Sequence, residues 1–384
     1  MTPDHNVEEC NVLIIGGGPA GSSLAWALRD SGLKIVILDR NVFPRNKVCA
    51  GWITPSVITN LQIDIEDYVK HSVMQAIHGF RVGILGQGEA EINYSGMPVS
   101  YGIRRYEFDD YLLRRCGAKV KQGVGLDRIE RISTGWIVNE SIHADMIVGA
   151  GGHFCPIAQY INQNGKKPDI KVVAQEIEVK FTDDELSQCD IDKTVPELFF
   201  CDDLKGYGWV FPKGNYLNIG LGREDASHLS QHVHQFCDFL IKHKKIPENI
   251  SEKFRGHAYQ LYQHSSRRIV SDAMLLIGDA AGLAYTQSGE GISPAIESGL
   301  IAARVIKKAN GDYSLGRLGV YEKLIQQRFG RRSVTNKYLK IPLRVKKVLA
   351  NKLMGTKWFV QHIVLNKWFL HKDVMPLNME QMIS

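Results

Sequence analysis

Three glycines and one aspartate near the start of the chain have the types and spacing of a dinucleotide-binding turn. Gly16, Gly18 and Gly21 follow a short apolar run, and Asp39 ends the next apolar run 18 residues after the third glycine. The first glycine allows a tight turn, the second lets a pyrophosphate approach the backbone, and the third lets a helix pack on a strand. The Asp39 carboxylate can accept hydrogen bonds from both hydroxyls of a ribose. These residues predict a bound dinucleotide, either FAD or NAD(P).

The elements that must position these residues can also be recognised in the sequence. Val12–Ile15 reads as a buried parallel strand, and Lys34–Leu38 reads as the next strand. Pro19 and Ala20 begin the helix between them, where the missing N–H of a proline costs nothing. The free N–H groups and the positive dipole end of that helix would face the phosphates.

An irregular basic loop with a cysteine follows the nucleotide-binding unit. Phe43-Pro44 and Gly51-Trp52 indicate a loop, which could lie along the cofactor so that cations face the pyrophosphate or an anionic ring. The other interpretation is a solvated basic turn. The loop residues predicted to bind the cofactor are Arg40, Arg45, Lys47, Val48, Cys49 and Ala50.

Two further runs of glycine follow buried strands later in the chain. The first includes Gly151, and the second begins with Gly278 and Asp279. A third turn carries Gly289, Gly291 and Ile292 directly before a predicted helix. Backbone N–H groups at such a helix start can stabilise the electron-rich edge of a flavin ring.

Composition and charge limit the classes of protein that the chain can belong to. Its 384 residues suit two or three domains, and 44% hydrophobic with 23% charged residues is typical of a globular enzyme. The seven cysteines form no Cys-x-x-Cys pair, which predicts reduced thiols and no metal site. We find no signal peptide, no membrane span and no feature that indicates nucleic-acid binding. A cytoplasmic location fits these observations.

The positive charge is concentrated near the C-terminus. Residues 323–372 carry 13 Lys and Arg and no acidic residue, so the remaining 334 residues hold 34 basic and 41 acidic residues. Trp358 and Trp368 accompany these cations, which suits a helix on the inner face of an anionic membrane, in contact through residues 340–372. A helical cap packed on the body, with a solvated basic face, is the alternative.

The first glycine turn, with Asp39, and the two later glycine runs, at Gly151 and Gly278, together resemble the FAD-dependent oxidoreductases of the p-hydroxybenzoate hydroxylase fold. Arg105 opens a match to the R-x-x-F-D motif of these proteins. The resemblance implies FAD as the cofactor. It further implies that Asp39 binds the adenosine ribose, that Asp279 binds the ribitol chain and that Arg105 lies near the flavin. The implied fold class is α/β, with a Rossmann-like FAD-binding domain, an inserted antiparallel-sheet substrate domain and a C-terminal helical extension.

Two motifs narrow the resemblance to the geranylgeranyl reductase family. Lys47 to Pro55 resembles its K-x-C-G-G-x-x-x-P motif, with Ala50 at the first glycine, and Tyr207 to Gly214 matches Y-x-W-x-F-P-K-G. Gly151 replaces the aspartate of the wider fold's G-A-D-G motif, and Thr286 stands about where a proline normally precedes the flavin turn. The resemblance implies an apolar or lipid substrate. The residues then predicted to contact it are Tyr207, Trp209, Phe211 and Thr286.

The predicted reaction is reduction of a C=C bond in an isoprenoid or other apolar substrate by hydride transfer from flavin N5. Cys49 would donate a proton beside the flavin, or would be a small buried hydrophobe. Tyr207 and Trp209 are the other candidate catalytic residues. The electron donor is NAD(P)H or a reduced ferredoxin-type carrier. The alternatives are a flavin monooxygenase or halogenase that uses O₂, and a non-catalytic FAD-binding protein associated with membranes.

The predicted regions are discontinuous. Residues 1–75, 100–160 and 265–325 form the FAD-binding domain, residues 76–99 and 161–264 form the substrate domain, and residues 326–384 form the basic helical region. Within them, the pattern predicts one strand over Trp136–Ile142 and a hairpin with its turn at Pro212–Asn215.

Overall fold

The computed structural model describes residues 7–163, 171–225, 227–248, 250, 253–332 and 343–377 of the chain. Its strands, in chain order, are β1 (Glu8–Ile15), β2 (Ile35–Asp39), β3 (Trp52–Ile53), β4 (Met74–Ile77), β5 (Gly79–Ile84), β6 (Glu89–Asn93), β7 (Ser100–Ile103), β8 (Lys119–Gln122), β9 (Ile129–Ile132), β10 (Gly135–Val138), β11 (Ile142–Gly149), β12 (Lys171–Lys180), β13 (Glu197–Phe200), β14 (Gly206–Lys213), β15 (Tyr216–Arg223), β16 (Arg255–Gln260), β17 (Val270–Ser271) and β18 (Met274–Leu276).

Helices cover both sheets and form the C-terminal part. They are α1 (Pro19–Leu28), α2 (Pro55–Asn60), α3 (Ile65–Tyr68), α4 (Arg105–Arg114), α5 (Pro156–Ile161), α6 (Asp183–Ser187), α7 (Leu229–Lys242), α8 (Ile292–Ala309), α9 (Leu315–Leu318), α10 (Val320–Phe329), α11 (Leu343–Met354) and α12 (Lys357–Phe359). A π-helical segment, Val360–Phe369, continues α12, and Tyr262–His264 and Gly278–Ala281 form 3-10 turns.

The first sheet has the order β17-β18-β11-β1-β2-β8, and β9 and β10 extend it beside β11. Its central strand β1 pairs in parallel with both β2 and β11. Val12, Leu13 and Ile14 are fully buried, because helices cover both faces of a parallel sheet. This arrangement confirms the predicted Rossmann-like unit and its strand–turn–helix start.

The second sheet has the order β16-β12-β15-β14-β13-β5-β6 and is antiparallel except where β13 meets β5. Side chains alternate between its two faces. Val210 packs toward α7, whereas Trp209 and Phe211 pack in a cluster with the π-helical segment. The second sheet therefore lies between α7 and the C-terminal helices. A third, small sheet, β3-β7-β4, lies beside β14.

The predicted fold class is confirmed in its three parts. The single strand predicted over Trp136–Ile142 is wrong, because Asn139 and Glu140 have positive φ angles and turn the chain between β10 and β11. The hairpin of β14 and β15 turns at Gly214–Asn215, within the predicted turn. The domain boundaries stay predictions. Residues 1–6, 164–170, 226, 249, 251–252, 333–342 and 378–384, which those boundaries include, lie outside the described residues.

The packing of α7 on the second sheet leaves no space for a side chain at Gly208. A Cβ there would lie 2.6 Å from Cζ of Phe236, which is buried in α7. We expect Gly208→Ala to lower the free energy of unfolding by about 1–3 kcal/mol, as overpacked cores do. Denaturant unfolding followed by circular dichroism measures this change. Gly88→Ala is the matched control, since a Cβ there meets no atom within 4 Å. Equal stability of the two variants would contradict the packing.

Candidate functional site

The first glycine turn is a tight backbone cradle at the end of β1. Gly16 has φ +116°, and a Cβ there would lie 2.5 Å from the carbonyl oxygen of Ala150. A Cβ on Gly21 would lie 2.0 Å from the carbonyl oxygen of Gly16, so neither position admits a side chain. Asp39 is buried and accepts a hydrogen bond of 2.8 Å from the backbone N–H of Gly17. The turn and the acid at the end of β2 are therefore locked together.

The second half of the site lies directly against the first. A Cβ on Gly278 would lie 3.0 Å from Cβ of Ala20, although the two residues are far apart in the sequence. Asp279 follows Gly278, and its Oδ1 would lie 3.0 Å from a Cβ on Gly291, where α8 begins. Gly149, which ends β11, pairs with Ile15 and Leu276. The fold thus joins all three predicted glycine sites at the ends of adjacent strands.

A buried ion network lies beside the loop of residues 40–51, the cysteine loop. Arg105 donates two hydrogen bonds, of 2.6 and 2.7 Å, to the fully buried carboxylate of Asp109. Arg45 Nη1 is 3.2 Å from the same carboxylate but makes no directed hydrogen bond. A Cβ on Gly18 would lie 3.4 Å from the other terminal nitrogen of Arg45. The Arg45 guanidinium therefore lies between Asp109 and the glycine turn, and a cation at this place fits the pyrophosphate of FAD.

Lys47 belongs to a second polar group, which includes a histidine that the sequence motifs did not predict. Its Nζ lies 2.8 Å from Nε2 of His257, and that nitrogen is 3.8 Å from Asp279 Oδ2. Burial lowers the pKa of Lys47 to about 8 and also lowers the pKa of His257. Burial alone would raise the pKa of Asp279, but His257 and Lys47 lower it. His257 comes from β16 of the second sheet, and no local motif indicated that it reaches the cofactor side.

Cys49 is held by a network of hydrogen bonds from the second sheet. The side chain of Asn218 on β15 donates to the carbonyl oxygen of Cys49 at 3.2 Å and to Glu176 Oε2 at 2.6 Å. It also accepts a 2.7 Å bond from the indole N–H of Trp209. The backbone N–H of Gly51 lies 3.4 Å from the Cys49 sulfur. Trp209 is thus placed beside the cysteine loop, while Glu176 and Asn218 were not predicted from the sequence.

The predicted substrate residues adjoin an aromatic cluster that includes the C-terminal segment. The ring centroids of Trp52 and Phe369 are 5.8 Å apart, and Tyr207 meets Phe369 edge-on at 5.5 Å. Phe211 lies 6.3 Å from Trp52. The Tyr207 hydroxyl donates to the carbonyl oxygen of Ser288, directly before the turn at Gly289. The aromatic cluster therefore contacts the loop that precedes α8.

The remaining predicted residues differ in how close they lie to the cysteine loop and the aromatic cluster. Val48 and Ala50 are half-buried in the cysteine loop, and Ile292 is the first residue of α8. Thr286 is half-buried, and its hydroxyl accepts a weak bond of 3.4 Å from the backbone N–H of Gln263. Arg40 and Gly151 are exposed. Among the described residues, no group of three or more His, Cys, Asp or Glu side chains could hold a metal ion.

The chain is similar in sequence to known nucleotide-binding domains and reductases. Residues 14–65 match the NAD(P)-binding Rossmann-like domain. The chain is 27% identical over 352 residues to a digeranylgeranylglycerophospholipid reductase of Methanosphaera stadtmanae, covering 85% of each chain. It is also 27% identical to the chloroplastic geranylgeranyl diphosphate reductase of Nicotiana tabacum, over 79% of this chain and 68% of the other.

A solved structure extends the likeness to nearly the whole fold. A geranylgeranyl bacteriochlorophyll reductase-like protein from Thermoplasma acidophilum superposes with a TM-score of 0.75 at 22% identity, covering 96% of this chain and 98% of the other. The resemblance that the sequence motifs predict is confirmed. The fold and the relatives also support FAD as the cofactor, which agrees with the joined glycine sites and with the Arg45 guanidinium beside the first of them.

The position of Arg45 beside the glycine turn leads to a prediction about cofactor affinity. If Arg45 contacts the pyrophosphate, Arg45→Gln removes one charge-assisted contact, and such contacts contribute about 1.5–3 kcal/mol. We therefore expect the dissociation constant for FAD to rise by about tenfold or more. Quenching of flavin fluorescence during titration of the apoprotein measures it. Arg114→Gln, on the exposed face of α4, is the control. An unchanged affinity in Arg45→Gln would place the pyrophosphate elsewhere.

Proposed function

We propose that this chain, which is similar to geranylgeranyl reductases over most of its length, is an FAD-dependent reductase of C=C bonds in isoprenoid or related apolar substrates. One observation carries the proposal. The aromatic cluster of Trp52, Tyr207, Phe211 and Phe369 is joined through Tyr207 to the loop at Ser288, which leads into the predicted flavin turn. An apolar chain lying among these rings would present its double bond near the flavin edge.

The chain's own residues position the substrate and supply the proton. When bound, reduced FAD supplies the hydride for one carbon of the double bond. The rings of Trp52 and Tyr207 exclude water and orient the apolar chain. The Cys49 thiol gives the other carbon a proton, and the positive charge of Arg105 stabilises the thiolate that remains. Burial alone would lower the pKa of Arg105, but the contacts with Asp109 and Cys49 raise it. The electron donor in this proposal is NAD(P)H or a reduced ferredoxin-type carrier.

Reoxidation of the bound flavin tests the proposal. After anaerobic reduction by dithionite, addition of a geranylgeranyl lipid in detergent should restore the oxidised flavin spectrum, whereas oxygen alone should do so slowly. Cys49→Ala should keep its flavin and lose about a hundredfold or more in the lipid-driven rate, as expected when a general acid is removed. Rapid reaction with oxygen and a flavin–oxygen adduct absorbance would instead identify a monooxygenase.

The C-terminal helices suggest where such a substrate would come from. On their inner side, Met354, Val360 and Val364 are buried in the core that includes Trp209. Their outer side exposes Val345, Val348, Leu349 and Trp358, together with Lys352 and Lys357. Among the described residues, no helix is long and apolar enough to cross a bilayer. We propose that this outer side lies on an anionic membrane surface and that α11 and α12 form the contact.

Vesicle binding tests the membrane contact. The double variant Val348→Ser with Trp358→Ser removes two exposed apolar side chains, so its partition onto vesicles with anionic lipid should fall by about tenfold or more. Co-sedimentation at low salt measures the partition. Val320→Ser, at an exposed position on α10, is the matched control. If the unaltered protein does not bind anionic vesicles, or binds neutral ones equally well, the proposal is wrong.

A further inference from the structure

Glu176 is a buried acid that the reaction described above does not use. It lies in the middle of β12, opposite Gly220 on β15 and Arg255 on β16, and its side chain is nearly inaccessible. Its carboxylate accepts a 2.6 Å hydrogen bond from the Asn218 amide, which also donates to the carbonyl oxygen of Cys49. The acid is therefore connected to the cysteine loop through Asn218.

Glu176 and Cys49 line the same cavity, which has a volume of about 130 Å³. A water molecule occupies about 30 Å³ of liquid, so this polar cavity can hold several waters between the two groups. Lys253 and Arg255, which are exposed, also line it, so the cavity reaches the protein surface. Solvent in this cavity therefore reaches both Glu176 and the cysteine.

Two of the cations near Glu176, Lys213 and Arg105, are bound to other acids. Lys213 on β14 lies 2.6 Å from Glu178, and Arg105 binds Asp109. Arg104, which precedes α4, lies 2.9 Å from Glu178 as well. Within the described part of the chain, no cation lies within ion-pair distance of Glu176 itself. The titratable and charged groups that line its cavity or act on it are Lys47 and Cys49 in the loop, Arg105 and Tyr106 on α4, Glu178 on β12, Lys213 on β14, Lys253, and Arg255 on β16.

The absence of an ion-pair partner changes how this acid titrates. Burial raises the pKa of Glu176 to about 7, against the lowering effects of Lys213 and Asn218. Its neighbour Glu178 lines the same cavity but behaves in the opposite way. Burial would raise the pKa of Glu178, yet the charge and hydrogen bond of Lys213 and the contact with Arg104 lower it. The two carboxyls differ in protonation near neutral pH, which makes Glu178 a matched control.

We propose that Glu176 is the proton reserve of Cys49, a role that rests on the proposed reductase function. After the thiol has given its proton to the substrate, the O–H bond of Glu176 breaks and the S–H bond of Cys49 forms, through water in the shared cavity. The negative charge moves from sulfur to the carboxylate, where the amide N–H of Asn218 stabilises it. Solvent then returns a proton to Glu176 through the cavity mouth. Glu176 therefore does not touch the substrate; it acts through Cys49, to which it returns a proton.

The coupling of the two groups can be measured without any substrate. At pH 8 the Glu176 carboxylate disfavours a nearby thiolate, whereas at pH 5.5 the protonated acid does not. In the FAD-loaded protein, Glu176→Gln should therefore be alkylated at Cys49 by iodoacetamide several-fold faster than the unaltered protein at pH 8, and at about the same rate at pH 5.5. Peptide mass spectrometry separates Cys49 from the six other free cysteines.

The control is Glu178→Gln, in which any change in the Cys49 alkylation rate should be the same at both pH values. Glu176→Asp keeps an acid and should retain the pH-dependent difference. A ratio of rates between Glu176→Gln and the unaltered protein that does not change with pH would overturn the proposal. This outcome is independent of whether any isoprenoid is reduced, so it is distinct from failure of the proposed function.

Unfolding provides a second, independent measurement. The folded-state pKa of Glu176 is raised, so its contribution to stability is greatest below the unfolded pKa and is lost as the pH rises through about 7. Relative to Glu176→Gln, the unfolding equilibrium constant of the unaltered protein should rise by about tenfold per pH unit between pH 5 and 7. Parallel pH profiles of the two proteins would contradict a proton held on Glu176.

Discussion

The three hydrogen bonds of the Asn218 side chain hold the candidate active site together. They connect the cysteine loop, which follows the nucleotide-binding unit, to two positions of the second sheet. The amide uses its oxygen for Trp209 and its nitrogen for Cys49 and Glu176, so little of its hydrogen-bonding capacity is left unused in a buried place. Such a satisfied network fixes one arrangement of the partners, because any other would leave buried polar groups unpaired. The cysteine, the indole and the acid are thus positioned by one residue.

Close packing between layers of the fold brings two remote parts of the chain together in one site. The Rossmann-like unit supplies the glycine turns, and close packing of α1 on α8 brings the turns together, since a Cβ on Gly299 would lie 2.7 Å from the carbonyl oxygen of Ala20. The second sheet supplies the residues around the cysteine. The face of this sheet that carries Trp209 and Phe211 packs against the C-terminal helices, so Phe369 completes the aromatic cluster. Cofactor, proton source and apolar surface each depend on a different layer of the fold.

The glycine turns, the strand pattern and the fold class could be predicted because each depends on local spacing. Gly16 and Gly21 cannot carry a side chain for reasons that neighbouring residues already determine. His257, Glu176 and Phe369 could not be predicted, because their positions depend on strand register and on contacts across more than a hundred residues. The alternation of β12 would have placed Glu176 and Glu178 on one face of the sheet. It could not have shown that only Glu178 has a cation for a partner.

In the proposed reaction, the aromatic cluster presents a double bond to reduced flavin, and the protein supplies the proton. The most direct measurement is the mass of the product formed when the fully reduced, FAD-loaded protein is mixed with a geranylgeranyl lipid, with and without oxygen. We expect a product heavier by two hydrogen atoms for each double bond reduced, formed equally well without oxygen. A product heavier by one oxygen atom, formed only when oxygen is present, would rule out this reaction.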